Sequence, residues 1–273
     1  MLISEVIQAI CDFHEPYDEP PKTRDRYLAG AERAGAECTG ALVTVCATME
    51  VLREAVSSGA NLVIAHESAF YGLPAEALTA NDAAAEKLSF LDEHGLVVWR
   101  YHDHMHGKPV DPARTRPDYI FYGICQELDW QGYVVDDPLK PTLYEIPPTS
   151  VGELAQTIIR VFGLSGLRVV GAAEGSVTRV CMAEHAMGDF LDHSMERCLD
   201  AEVFIPFEIC DYTLTQYVRD AAQQGRQKTI LEMGHFNCEE LGMRYAARYL
   251  AELLEGAVEV RFVQSGDVFG YLA

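Results

Sequence analysis

Within the first thirteen positions, apolar residues at Leu2, Val6, Ile7, Ile10 and Phe13 have the spacing of one helix face. A turn-rich segment, HEPYDEPPKTRD, follows, and then the period changes. ALVTVCA (41–47) has a buried-strand composition, and NLVIAHE (61–67) and LVVWRY (96–101) read as two further strands. Between them stand MEVLREAVSSGA, closed by Gly59, and AEKLSFLDEHG (85–95), closed by Gly95, and both predict helices. Strands alternating with helices of about ten residues predict a parallel or mixed α/β sheet.

Beyond a polar, proline-bearing loop, GKPVDPARTRPD (107–118), YIFYGICQELDW predicts another helix. DPLKPTLYEIPPT (137–149) holds four prolines and is the best candidate for a boundary or hinge. A second α/β unit follows. VGELAQTIIRVFG reads as helix, LRVVGAA and VTRVCMA as strands, MGDFLDHSMERCLD as helix, AEVFIPF as strand and YTLTQYVRDAAQQG as helix. KTILEMG (228–234) returns as a strand before the amphipathic helix CEELGMRYAARYLAELLEG and the closing run VEVRFVQSG.

A chain of 273 residues lies where a single core stops growing. The expected fold class is therefore α/β, with two α/β domains whose mixed sheets are flanked by helices. Residues 1–135 plus 226–273 form the expected metal-binding domain, and 136–225 the smaller second one.

Charge narrows the function classes. Against 21 Lys and Arg stand 42 Asp and Glu, a net charge of −21 that repels phosphate backbones and anionic lipid. No nucleic-acid partner and no membrane partner is expected, and no run approaches the ~20 apolar residues of a membrane span. The N-terminal stretch reads as an amphipathic helix rather than a secretory signal. The 8 cysteines form no C-x-x-C pair and several sit inside apolar runs, so they read as reduced core residues of a cytoplasmic protein.

The candidate chemistry lies where strands end. In open α/β sheets, ligands bind beyond the carboxyl ends of the strands. NLVIA ends in His66 and Glu67, LVVWRY runs into His102, Asp103, His104 and His106, and KTILEM into His235, with Glu239 in the next helix. The three strands are expected to deliver these groups to one edge. Asn237 as helix cap, with Glu240 closing a capping box, would turn Glu239 toward His235. Histidine and carboxylate without thiolate suits Zn²⁺, Fe²⁺, Mn²⁺ or a similar divalent ion. Singly, each piece has an ordinary explanation: a polar strand end, a solvated loop, a glutamate favoured by the helix dipole. Their convergence is what favours a metal.

Four blocks, VLREAVSSGANLVIAHESAFYG, HGLVVWRYHDHMH, DAEVFIPFE and MGHFNCEELGMRYAARYL, resemble in order and spacing those of the Nif-three-like family. These are two-domain proteins also labelled GTP cyclohydrolase I type 2 homologues. The resemblance implies two divalent metal ions held by His66, Glu67, His106, His235 and Glu239. Glu67 stands where the family has a second histidine and His106 where it has an aspartate, a compensated exchange that keeps three imidazoles and two carboxylates. His102 matches the histidine opening the second block; His102 and His104 are the candidate catalytic proton carriers, and Asp103 a supporting polar group beside the ligands. Ile205–Glu208 lacks the Thr-Gly that precedes the family's glutamate.

Two metals can activate water and hold both the attacking and leaving oxygens of a hydrolysed group. The resemblance thus implies a metal-dependent hydrolase of a nucleotide or phosphoester-type small molecule, GTP cyclohydrolase-like. The competing class is a non-catalytic metal-binding or metal-storage scaffold. Self-association as a hexameric ring is also implied.

Overall fold

The computed structural model describes residues 1–15, 22–107, 116–186 and 199–272. Most of the loop expected at 107–118, nearly all of the helix expected at 187–200, and Cys198 lie outside the described residues. The chain divides into two compact units, Met1–Gly123 with Gly242–Ser265, and Ile124–Leu241 with Gly266–Ala273. Among the described residues no helix is long and apolar enough to cross a membrane.

The first unit is built on a five-stranded sheet of order β1-β4-β3-β2-β12, with β1 Arg26–Ala29, β2 Ala41–Thr44, β3 Leu62–Ala65, β4 Val97–Arg100 and β12 Val260–Phe262. β12, β2, β3 and β4 run parallel, and β1 is an antiparallel edge. Every residue of β2 and β3 is buried, which is why these strands are apolar but for Thr44. Helices α2 (Met49–Ser58) and α3 (Asp82–Glu93) lay Val51, Leu52, Ala55, Ala84 and Leu91 against Leu42, Val63 and Val98. The Thr48 side chain caps α2 by accepting from the Val51 amide, and Gly59 ends it in the left-handed region, as the sequence predicts. Helix α1 (Ile3–Phe13) buries Val6, Ile7 and Ile10 of the predicted face together with Ile3, while Leu2 is exposed and Phe13 half-buried.

Helices α5 (Tyr119–Glu127) and α8 (His235–Leu253) contribute their ends at Gly123 and Gly242 to this unit. There the backbones touch: a Cβ on Gly242 would lie 2.8 Å from the Ile120 Cα, and one on Gly123 2.9 Å from the Gly242 Cα.

The second unit has its own five-stranded sheet, of order β5-β7-β9-β11-β6: β5 Leu143–Ser150, β6 Arg168–Gly171, β7 Ser176–Cys181, β9 Val203–Phe204 and β11 Thr229–Glu232. The inner strands β7, β9 and β11 are parallel, and both edges, β5 and β6, are antiparallel. Helix α6 (Val151–Phe162) opens with a Ser150–Glu153 capping box, and α7 (Leu214–Gln223) packs Leu214 and Val218 onto Phe204 and Ile230. A short parallel pair, β8 (His185–Ala186) with β10 (Glu208–Ile209), lies beside it.

The structure departs from the sequence reading in four places. The proline-rich stretch expected as a hinge is edge strand β5, whose register shifts between Glu145 and Thr149. Pro147 and Pro148 sit in that irregularity, where a missing N–H costs no ladder bond. Thr229–Glu232, expected with the first domain, is hydrogen-bonded between β9 and β6, so the compact units divide elsewhere than at 135/136 and 225/226. Tyrosine and leucine in the four-residue β1 were too short a run to show a period. Cys11, Cys38, Cys46, Cys125, Cys210 and Cys238 are free thiols, but Cys181 is disulfide-bonded, against the expectation that all the cysteines are reduced. Sequence spacing does not reveal which cysteines approach in space.

Candidate metal-binding groups

Parallel ladder bonds continue past β3 and β4 and carry the site residues outward. The His66 amide donates to the Thr44 carbonyl at 3.2 Å, Glu67 to Val45 at 2.8 Å, and Tyr101 to Ala65 at 2.8 Å. Beyond Tyr101 the chain turns into a single helical turn, α4 (Asp103–His106). Asp25, far away in sequence, supplies the carboxylate that caps it, accepting from the amides of His102, of Asp103 at 2.8 Å and of His104 at 2.9 Å. Burial alone would raise the Asp25 pKa, but the hydrogen bond from the His104 side chain and those from the three amides outweigh it and hold the carboxyl below its usual range. Gly107 closes the turn at φ 52°, with the Pro117 carbonyl oxygen 2.7 Å from where a Cβ would sit.

This turn sets His102 and His106 beside His66. The His66 and His102 rings stack at 4.5 Å, and the His106 ring lies 5.1 Å and 4.7 Å from them. One ligand atom from each of the three lies within 4.8 Å of the others. Each ring has an oxygen acceptor on Nδ1: the Tyr101 carbonyl for His66 at 3.0 Å, Asp103 for His102 at 3.1 Å and Asp118 for His106 at 3.1 Å. A carbonyl or carboxylate at Nδ1 favours the tautomer with hydrogen there, so Nε2 presents the lone pair, the arrangement of metal-ligating histidines.

The neighbouring groups have further partners. Glu67 pairs with Arg100 at 2.9 Å and stands 3.7 Å from His102 Nε2. Asp103 also accepts from the Arg24 amide at 2.8 Å and guanidinium at 3.2 Å. His104 is buried, bonds Asp25 through Nδ1 and packs against the His14 ring at 5.4 Å.

In the second unit β8 and β10 pair His185 opposite Glu208. Glu208 bridges two imidazoles, lying 2.7 Å from His185 Nδ1 and 3.1 Å from His235 Nδ1. His235 opens α8, and Glu239, one turn on, lies 3.1 Å from its Nε2. Burial would lower the His235 pKa, but bonds to Glu208 and Glu239 and their charges raise it to about 10. Burial would raise the Glu208 pKa, but hydrogen bonds to His185 and His235 and their charges lower it to about 2.

The model of the family described as Duf34/NIF3 (NGG1p interacting factor 3) matches residues 30–267. The chain belongs to the DUF34/NIF3 family. Three solved structures are similar to this DUF34/NIF3 chain. The Staphylococcus aureus hypothetical protein SA1388 is 17% identical, with a TM-score of 0.70 over 100% of this chain and 99% of that one. A Bacillus cereus protein related to NIF3 is 13% identical, with a TM-score of 0.69 over 100% and 99%. Reduced HcgD from Methanocaldococcus jannaschii is 13% identical, with a TM-score of 0.62 over 96% and 97%. At these identities the likeness is one of fold, and among curated proteins none matches.

In this DUF34/NIF3 protein the expected ligands divide between the units: His66, Glu67 and His106 in the first, His235 and Glu239 in the second. The strand before His235 belongs to the second sheet, so the expectation of three strands sharing one sheet edge is corrected. Asn237 is not a helix cap: α8 begins at His235, and the Asn237 amide donates to the Met233 carbonyl at 2.7 Å and Asp267 at 2.9 Å. His102, expected as a proton carrier, offers a ligand atom with His66 and His106. Asp25, Asp118, Arg100 and His185 were not picked out from sequence. Asp118, just ahead of a predicted helix, was the one with a readable signal.

Proposed function

We propose that this protein binds divalent metal ions and uses them to hydrolyse a nucleotide or related phosphoester-type small molecule. The observation that carries the reading is the His66, His102 and His106 group, with an oxygen acceptor on each Nδ1 and ligand atoms within 4.8 Å. That donor chemistry fits Zn²⁺, Fe²⁺ or Mn²⁺. When bound, such an ion supplies Lewis acidity toward water and a substrate oxygen. The chain's own residues hold and orient: Tyr101, Asp103 and Asp118 set the ring tautomers, and Arg100 holds Glu67 at the edge of the group. His235 and Glu239 are the ligands the family resemblance favours in the second unit. The same resemblance favours a cyclohydrolase reaction on a guanine nucleotide and a ring of copies.

One observation favours a non-catalytic, metal-holding scaffold. In the first-unit group each of the three imidazoles offers a ligand atom, and His104 is bonded to Asp25. Turnover separates the readings. A hydrolase will cleave GTP or an aryl phosphoester with added Mn²⁺ or Zn²⁺ and stop on chelation. Stoichiometric metal in the untagged protein, without turnover above background on such substrates, supports the scaffold.

A further inference from the structure

The four family-like blocks do not include His185, and the resemblance gives Glu208 no ligand role. Yet these two residues meet at one point. Strand pairing of β8 with β10 sets them opposite each other, and the start of α8 adds His235. His185 and His235 rings are 5.1 Å apart, and Phe207 lies 6.1 Å and 5.5 Å from them as an apolar wall.

We infer that His185, Glu208 and His235 form a divalent transition-metal site within the second unit. It rests on the proposed reading of His235 as a ligand, and it adds two ligands that reading lacks.

Three arguments support it. Ligand atoms of the three residues lie within 4.8 Å of one another, with carboxylate to nitrogen distances of 2.7 Å and 3.1 Å. Bonds of about 2.0–2.2 Å to a tetrahedral ion place ligand atoms roughly 3.3–3.6 Å apart, so small side-chain rotations suffice. Two imidazoles with one carboxylate form the donor set of open zinc and non-haem iron sites. Finally, Glu239 lies 3.1 Å from His235 Nε2, so it can hold the hydrogen on that nitrogen and leave Nδ1, which faces Glu208, as the ligand atom. The side chains are 58% (His185), 31% (Glu208) and 25% (His235) exposed, so an ion can enter from solvent.

Zn²⁺ binding, read by calorimetry and elemental analysis, tests this on the whole chain. The variant His66→Gln/His102→Gln/His106→Gln removes the first-unit group, and it should keep about one equivalent of Zn²⁺. Adding His185→Gln should weaken that remaining site by more than about 100-fold, beyond the 10–100-fold typical of an outer hydrogen-bond partner. Adding His185→Cys instead should retain binding, because thiolate is itself a zinc ligand. The inference is overturned if His185→Gln binds like its parent, or if the triple variant holds no Zn²⁺. Should the triple variant bind as much as wild type, the first-unit reading fails and this one stands.

Discussion

His66 and Tyr101 are joined across neighbouring strand ends: the His66 Nδ1 hydrogen is donated to the Tyr101 carbonyl, 3.0 Å away. The same Tyr101 sends its hydroxyl to that of Tyr249, 2.8 Å away, so the residue that sets the histidine tautomer is itself anchored in the core. Substituting His66 by Gln should therefore remove a ligand without unfolding the chain. Metal affinity of the first-unit group should fall at least about 100-fold, more than loss of an outer hydrogen-bond partner typically costs. Elemental analysis beside a thermal melt checks both halves of the expectation.

Asp118 accepts from His106 Nδ1 at 3.1 Å and from the amide of Ile120 at 3.2 Å. Asp118→Asn keeps an acceptor for the amide but weakens the hold on the imidazole. Metal affinity should drop by about 10–100-fold, with little change in melting temperature. Calorimetric titration of the two proteins with Zn²⁺ reads the difference.

Asp25→Ala takes the acceptor from three backbone amides and from His104 together. Leaving such buried donors unmet costs about 1–3 kcal/mol each at most, and the α4 turn that carries His106 should loosen. Denaturant unfolding should show the lost stability, and metal binding should weaken in parallel. Unchanged binding would mean that the turn holds its shape without its cap.

His14 is buried among Tyr101, Tyr119, His104, Asp25 and Arg116, and its pKa is lowered from 6.5 to about 3. Burial is the main cause, with the His104 and Arg116 charges adding and Asp25 partly opposing. Between those two pH values the unfolded chain binds a proton that the folded chain does not. Stability is thus fully present above about pH 6.5 and declines as pH falls toward 3, by up to about 1.4 kcal/mol per unit from this group. The variant His14→Phe should lose less stability over that interval in urea unfolding followed against pH.

Gly242→Ala places a methyl group 2.8 Å from the Ile120 Cα and 3.0 Å from its carbonyl oxygen, both backbone atoms. Helices α5 and α8 must part to admit it, at a cost of about 1–3 kcal/mol. A chain of this size should then melt lower by roughly 2–4 °C for each kcal/mol. Scanning calorimetry gives the answer directly.

Much of the architecture was legible because β2, β3 and β4 are built mostly of apolar residues and the helices between them close on Gly59 and Gly95. Such patterns are local, and each residue's environment is set by its near neighbours. The proline-rich β5 misled because proline marks a loop and an edge-strand irregularity alike, and only the partner strand distinguishes them.

The sequence by itself determined that histidines and carboxylates cluster just beyond apolar strands, and it marked His66, His102, His106, His235 and Glu239. Their types and positions beside strand ends are written in the linear order. Only the tertiary structure decided which of them meet. It put the strand before His235 in the second sheet, turned His104 to Asp25, brought His102 in with His66 and His106, and set His185 opposite Glu208. Those outcomes depend on strand pairing and on a carboxylate 77 to 79 residues away in the chain, which capping and ladder bonds select and which no local period records.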